Sequence, residues 1–239
     1  MIIKKLNMNK FKESYTPFQE FNKQYLKGDM YSSVFDAVLN YSDVGDFNDK
    51  YEFIQIGIPT ERNISNPITL KLIESLIKIK NPKAFLEIGT FIGVSTVCFK
   101  NALSSSSNLT FIEVVKDSYD ATLKNLKEHT SNTNILGING DALDTLKVMN
   151  KNNIKYDFIY LDGGKENYCR YMKYIDKIIA KEGILIVDDV FFHGDALNDK
   201  PITEKGKGVK EFLRMIKKNK SYKKIILPIS NGVMLLIKE

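Results

Sequence analysis

The sequence predicts an α/β fold built on a doubly wound sheet of mostly parallel strands. Three observations predict it. From Lys83 onward, short apolar runs alternate with amphipathic helical stretches, the rhythm of right-handed βαβ units. Ala84–Ile88, Leu109–Glu113, Asn134–Ile138, Tyr156–Leu161 and Gly183–Val187 are nearly continuous in apolar residues, as suits strands buried on both faces of a parallel sheet. The end differs: Lys223–Ile229 and Val233–Ile237 flank Ser230-Asn231-Gly232. Asn-Gly between apolar runs is a hairpin signal, so the last strand should run against the others.

Ahead of the sheet, residues 1–60 read as a helical extension and 61–239 as the core of a single domain. Phe11, Phe18, Phe21 and Tyr25 are spaced along one helix face, and Asp29 caps a second helix reaching Tyr41. Ser65-Asn66-Pro67 marks a helix start. The helix it opens carries Ile68, Leu72, Ile73, Leu76 and Ile77 on one side.

Bulk composition narrows the class. The 239 residues suit one well-buried α/β domain, with 43% hydrophobic and 27% charged residues. No apolar run approaches a membrane span, and Met1–Asn7 has no apolar stretch behind its lysines, so neither a membrane nor a signal peptide is expected. Two cysteines and two histidines argue against a disulfide framework and a zinc site, and fit the cytoplasm. The net charge of +6 comes mainly from Lys205–Lys224. It is read first as a solvated helix face, and second as a footprint for an acidic partner such as RNA.

Three motifs carry chemistry. Glu87-Ile88-Gly89-Thr90-Phe91-Ile92-Gly93 follows the first strand and opens a helix. Its Gly-x-x-x-Gly spacing is not the Gly-x-Gly-x-x-Gly that cradles a pyrophosphate. It suits S-adenosylmethionine, which has none, and Glu87 could meet that ligand's cationic amino group. Glu113, roughly twenty residues beyond the glycine turn, stands where an acid accepts ribose hydroxyls. Gly140-Asp141-Ala142 takes the next place on the same edge, framing an adenine, capping a helix, or both. Asp162 ends the fourth strand, and Asp188 and Asp189 end the fifth. Ligands of such sheets bind at the carboxyl ends of the strands. Three carboxylates gathered there need a counter-charge, and oxygen-only ligands favour Mg²⁺ first, or Ca²⁺ or Mn²⁺. Consecutive strand residues point to opposite faces, so the chain must bend at Asp188-Asp189. Near such an ion Lys165 should favour its neutral form and serve as a general base.

The runs Leu86–Ser95, Leu161–Tyr168 and Val187–Gly194, with the tail Leu227–Val233, resemble the cation-dependent O-methyltransferases, which include the catechol and caffeoyl-coenzyme A enzymes. The resemblance covers roughly residues 60 to 239. It implies a Rossmann-like, seven-strand class I methyltransferase sheet with the last strand antiparallel, and a homodimer. It implies cofactor contacts from Ser65, Glu87, Ser95, Glu113, Ala142 and Asp162, within a site that includes Gly89, Thr90, Gly93 and Asp141. It implies metal ligation by Asp162, Asp188 and Asp189, and a base role for Lys165. This sequence departs from the family at Gly164, where a second acid is common, and at Asp189, where Asn is usual. Phe192 falls where Trp is common and is expected to line the acceptor pocket. His193 is read as a loop residue.

The expected reaction is methyl transfer to one oxygen of a catechol-like or vicinal-diol small molecule, with donor and acceptor held in line. Methylation of a tRNA hydroxyuridine by the same chemistry is the alternative. An NAD-dependent oxidoreductase and a non-catalytic binding module are the readings from other classes.

Overall fold

A computed structural model describes residues 37, 38, 40–44, 53, 54, 56, 64–131 and 133–239. The chain divides into two compact units, residues 1–48 and 49–239. In the first, residues 37, 38, 40 and 41 are helical, within the stretch expected to form the second helix. The Phe11, Phe18, Phe21 and Tyr25 face lies outside the described residues.

The second unit holds a seven-stranded sheet in the order β3-β2-β1-β4-β5-β7-β6. The strands are β1 (Ala84–Ile88), β2 (Asn108–Glu113), β3 (Ile135–Asn139), β4 (Tyr156–Leu161), β5 (Ile179–Val187), β6 (Tyr222–Leu227) and β7 (Val233–Lys238). β1 to β5 pair in parallel, and β7 is antiparallel to both of its neighbours, as expected. The α-helices among the described residues of this unit are α1 (Pro67–Lys80), α2 (Val94–Ala102), α3 (Lys116–His129), α4 (Ala142–Lys151), α5 (Tyr168–Ile178) and α6 (Glu204–Lys218). No helix among the described residues is long and apolar enough to cross a membrane.

Strand alternation sorts the core into two layers. Leu86, Ile88, Ile159, Leu161, Leu185 and Val187 face residues of α4, α5 and α6. On the opposite face Phe85 stacks on Phe158 with ring centroids 5.1 Å apart, and Phe99 of α2 meets Tyr160 edge-on at 5.1 Å. The order reverses between β1 and β4, so the switch point of the sheet lies between Glu87 and Tyr160, which are register partners.

Two expectations need correcting. The buried stripe of α1 runs through Thr69, Leu70, Ile73 and Ile77, with Leu72 and Leu76 only partly covered. A helical period admits neighbouring stripes, and the sheet selects one. β3 was expected to be buried on both faces. It is an edge strand with Leu136 exposed, because the winding order leaves nothing beyond it among the described strands.

The start of α1 does follow the local signals. Asn66 Oδ1 accepts from the Ile68 amide at 2.9 Å, Pro67 opens the helix, and Asn81 closes it in the left-handed region. The hairpin turns through Ser230 and Gly232, both at positive φ. Its loop also reaches sideways: the amides of Val190 and Phe191 donate to the carbonyls of Gly232 at 3.0 Å and Asn231 at 2.7 Å. The hairpin therefore braces the segment just after Asp188-Asp189.

Candidate active site

Four backbone hydrogen bonds form a staircase along the carboxyl edge of the sheet. Gly140 N donates to Glu113 O at 3.0 Å, Gly89 N to Ile112 O at 2.9 Å, Asp162 N to Ile88 O at 2.9 Å, and Asp188 N to Leu161 O at 3.0 Å. In four of the five parallel strands the first residue past the end is thus held by the neighbouring strand. This aligns the motifs predicted from sequence in one row.

The glycine turn is tight for a reason the sequence did not reveal. Gly89 has φ +86°, and a Cβ there would lie 2.7 Å from the Asp162 carbonyl oxygen and 2.8 Å from Gly163 Cα. Gly93, also at positive φ, caps α2 and would press a Cβ to within 2.8 Å of Thr122 Cγ2. Both glycines make room for protein: the turn after β1 packs against the turn after β4 and against α3.

Glu113 is buried, and its carboxylate is largely spent on that turn. Oε2 accepts from the amides of Thr90 at 3.1 Å and Phe91 at 3.0 Å, and Oε1 accepts from Val115 N at 2.9 Å. A carboxylate offers about four acceptor sites. Roughly one remains for a ribose hydroxyl, where the sequence reading called for two. Thr90 Oγ1 is engaged with Thr122 Oγ1 at 3.1 Å.

Glu87 is the opposite case. It is fully buried; Ser95 Oγ donates to its Oε1, and its Oε2 has no hydrogen-bond partner among the described residues. Burial pushes its carboxyl up to about 8, against the pull of the Ser95 and Thr96 hydroxyls. An unpartnered buried carboxylate oxygen is costly unless a cationic donor meets it. The amino group of S-adenosylmethionine is such a donor, so these residues fit that cofactor.

Further along the edge, Asp141 accepts from Asp144 N at 3.0 Å and caps α4, with Ala142 behind it as the first helical residue. Both are placed on the predicted edge, and Asp141 has the capping role named beside the adenine one.

Asp162, Asp188, Asp189 and Lys165 converge at the ends of β4 and β5. Asp189 has φ +55°, the bend that the metal reading required. Asp is one of the few side chains that tolerate this region. Lys165 is buried in a short 3₁₀ turn, with Nζ 2.7 Å from Asp162 Oδ1 and 3.1 Å from Asp189 Oδ2. Asp188 faces elsewhere: Oδ2 accepts from Tyr160 OH at 2.6 Å and Oδ1 from Asp189 N at 2.8 Å. Tyr168 OH donates to its backbone oxygen at 3.2 Å.

Burial pulls the Lys165 amine down, but Asp162 first, then Tyr168 and Asp189, outweigh it and hold Lys165 well above the usual lysine range. In this arrangement it is an ammonium and serves as the counter-charge the aspartates need. Burial and then Asp162 push Asp188 up to about 7, and burial also raises Asp162. Among the described residues, no three His, Cys, Asp or Glu side chains are grouped as a metal-binding set. In this arrangement Lys165 bridges Asp162 and Asp189, and Tyr160 holds Asp188. The donor chemistry nonetheless fits a hard cation. The ligands are all oxygen, and carboxylates raised by burial and mutual repulsion lose that penalty when a divalent ion neutralises them.

Tyr160, Tyr168 and the second contact of Ser65 escaped the sequence reading. Ser65 Oγ lies 2.9 Å from Tyr160 OH, beside the cofactor contact the resemblance implied for it. One signal was available. Tyr160 precedes Asp162 by two residues and must share its face of β4. His193 is exposed on a loop and Phe192 is partly buried against the core, both at positive φ.

Residues 62–239 match the family model described as O-methyltransferase. Tapetum-specific methyltransferase 1 of Arabidopsis thaliana is 27% identical over 141 residues, 59% of this chain and 58% of the relative. Caffeoyl-CoA O-methyltransferase of Medicago sativa is 24% identical over 172 residues, 68% of this chain and 70% of the relative. The chain thus spans under two thirds of one relative's length and somewhat more of the other's. An O-methyltransferase from Bacillus cereus, solved in complex with SAH, superposes with a TM-score of 0.69 at 21% identity, covering 92% of this chain and 96% of that one.

Proposed function

We propose, from the premise that this chain belongs to the O-methyltransferase family, that it transfers a methyl group from S-adenosylmethionine to a hydroxyl oxygen of a catechol-like or vicinal-diol small molecule, with a divalent cation held by Asp162, Asp188 and Asp189. The observation that carries this reading is the unpartnered, fully buried Oε2 of Glu87 in the same edge row as those aspartates. An NAD-dependent oxidoreductase is not carried forward, since neither the glycine spacing nor the family points to one.

The residues divide the work. Glu87 takes the amino group of the donor, with Ser95 fixing the rotamer of the carboxylate. Glu113 holds the turn amides of Thr90 and Phe91 and keeps about one acceptor site for the ribose. Asp162 stands between the two halves, one strand from Glu87 and one from Asp188. When bound, the donor supplies an electrophilic methyl group and a divalent cation supplies a Lewis acid that favours an ionised acceptor oxygen. Burial of Lys165, Asp188 and Glu87 strengthens the charge interactions of those three groups, while Asp162 and Asp189 stay partly exposed. Lys165 can accept the acceptor's proton only when Asp162 and Asp189 no longer hold it as an ammonium. The alignment of donor and acceptor provides the remaining acceleration.

The test is a transfer assay with labelled S-adenosylmethionine and a panel of catechols and diols, with Mg²⁺ or with chelator. Labelled methyl ether is expected with Mg²⁺ and not with chelator. Asp188→Ala should abolish the metal-stimulated turnover and leave donor binding by calorimetry largely intact. Unchanged turnover in Asp188→Ala would falsify the metal role, and absence of donor binding to the unaltered protein would remove the whole reading.

A further inference from the structure

Lys165 contacts two of the three edge aspartates and leaves out the third. What separates Asp188 from the other two is Tyr160. Its ring is fully buried, clamped edge-on by Phe99 at 5.1 Å. Its hydroxyl donates to Asp188 Oδ2 at 2.6 Å. The phenol has one proton, already given to Asp188, so at the 2.9 Å contact the Ser65 hydroxyl must be the donor to Tyr160. The direction of the chain is therefore Ser65 to Tyr160 to Asp188. The amide of Asp189 fixes the other oxygen of the same carboxylate at 2.8 Å. A carboxylate so held cannot swing toward the ammonium of Lys165, and each of its oxygens still has a free lone pair.

We infer that Tyr160, oriented by Ser65, is a positioning residue that keeps Asp188 available for the divalent cation while Lys165 occupies Asp162 and Asp189. The inference rests on the metal role given above. It assigns an order among the three carboxylates that would hold the cation: Asp188 is already set for it, whereas Asp162 and Asp189 are first engaged by Lys165. Outer partners of ligating carboxylates typically contribute 10- to 100-fold to metal affinity. Tyr160→Phe removes only the hydroxyl and keeps the ring against Phe99, so the core packing survives.

The experiment uses the full chain without acceptor and reads Mn²⁺ binding by the paramagnetic resonance signal of the free ion. S-adenosylmethionine affinity is measured in parallel by calorimetry. The unaltered protein should bind Mn²⁺ and Asp188→Ala should not. Tyr160→Phe should weaken Mn²⁺ binding about tenfold or more with donor affinity unchanged within about twofold. Ser65→Ala should move Mn²⁺ binding in the same direction by less, and it serves as the second variant should Tyr160→Phe fold poorly. If Asp188→Ala loses Mn²⁺ while Tyr160→Phe and Ser65→Ala bind it as the unaltered protein does, the positioning role is overturned and the metal role stands. If the unaltered protein binds no Mn²⁺, or Asp188→Ala binds it equally well, the metal role fails and the inference fails with it. Equal losses of Mn²⁺ and donor affinity in Tyr160→Phe would mark a general loosening of the edge and also overturn it.

Discussion

Glu87 and Glu113 stand on adjacent strands at the same edge of the sheet, and both are buried. Their surroundings differ. Three backbone amides satisfy Glu113, whereas Glu87 has Ser95 on one oxygen, and its other oxygen makes no hydrogen bond of good geometry among the described residues, with only the Thr96 hydroxyl acting on the carboxyl besides. The first carboxylate completes the fold, because the turn that opens α2 would otherwise leave its amides bare. The second strains the fold, since burial drives it toward its neutral form. A buried acid that the fold does not satisfy is the one available to a ligand, which is why the pair separates structural from binding chemistry within one motif row.

The largest effect should come from the strained member. Glu87→Gln removes the charge that would face the donor's amino group, and calorimetry should show donor affinity falling about 100-fold or more, roughly 3 kcal/mol. Binding within a few-fold of the unaltered protein would break the comparison at its centre. The same variant should stabilise the unliganded protein at alkaline pH. The carboxyl of Glu87 sits at about 8 in the fold against 4.5 for an ordinary glutamate. As pH rises between those values the unfolded chain sheds its proton first, so unliganded stability should fall across that window and level off above it. The drop should be on the order of a few kcal/mol. A denaturant series from pH 5 to 9 should show this slope in the unaltered protein and a flatter one in Glu87→Gln.

The satisfied member should behave in reverse. Glu113→Gln sets an amide group against backbone donors and should cost about 2 kcal/mol of stability at neutral pH. Chemical denaturation checks it, and a stabilising effect would show that the carboxylate was not holding the turn. The smallest effect is expected one strand further on. Asp141→Ala should cost about 1 kcal/mol as a lost helix cap and leave donor affinity nearly unchanged. A clear loss of affinity would give Asp141 the adenine role as well.

How far the sequence went depended on the range of the forces involved. The strand–helix alternation, the seven runs, the hairpin at Asn231-Gly232 and the cap at Asn66 are local, set by periodicity and turn chemistry, and each was legible. So was the roster of the edge, because residues that end parallel strands must meet at one rim whatever their order. The bend at Asp188-Asp189 followed from the chemistry asked of it. What needed the tertiary structure was how these groups pair. Whether β3 would be an edge, which stripe of α1 would be covered, and that Gly89 yields space to the Asp162 carbonyl all depend on which strand lies next to which. The charge on Lys165 belongs to the same class. The sequence set it near acids, but two carboxylates within 3.1 Å of its nitrogen decide that it stays protonated, and Coulomb energy depends on distances that no spacing along the chain can supply.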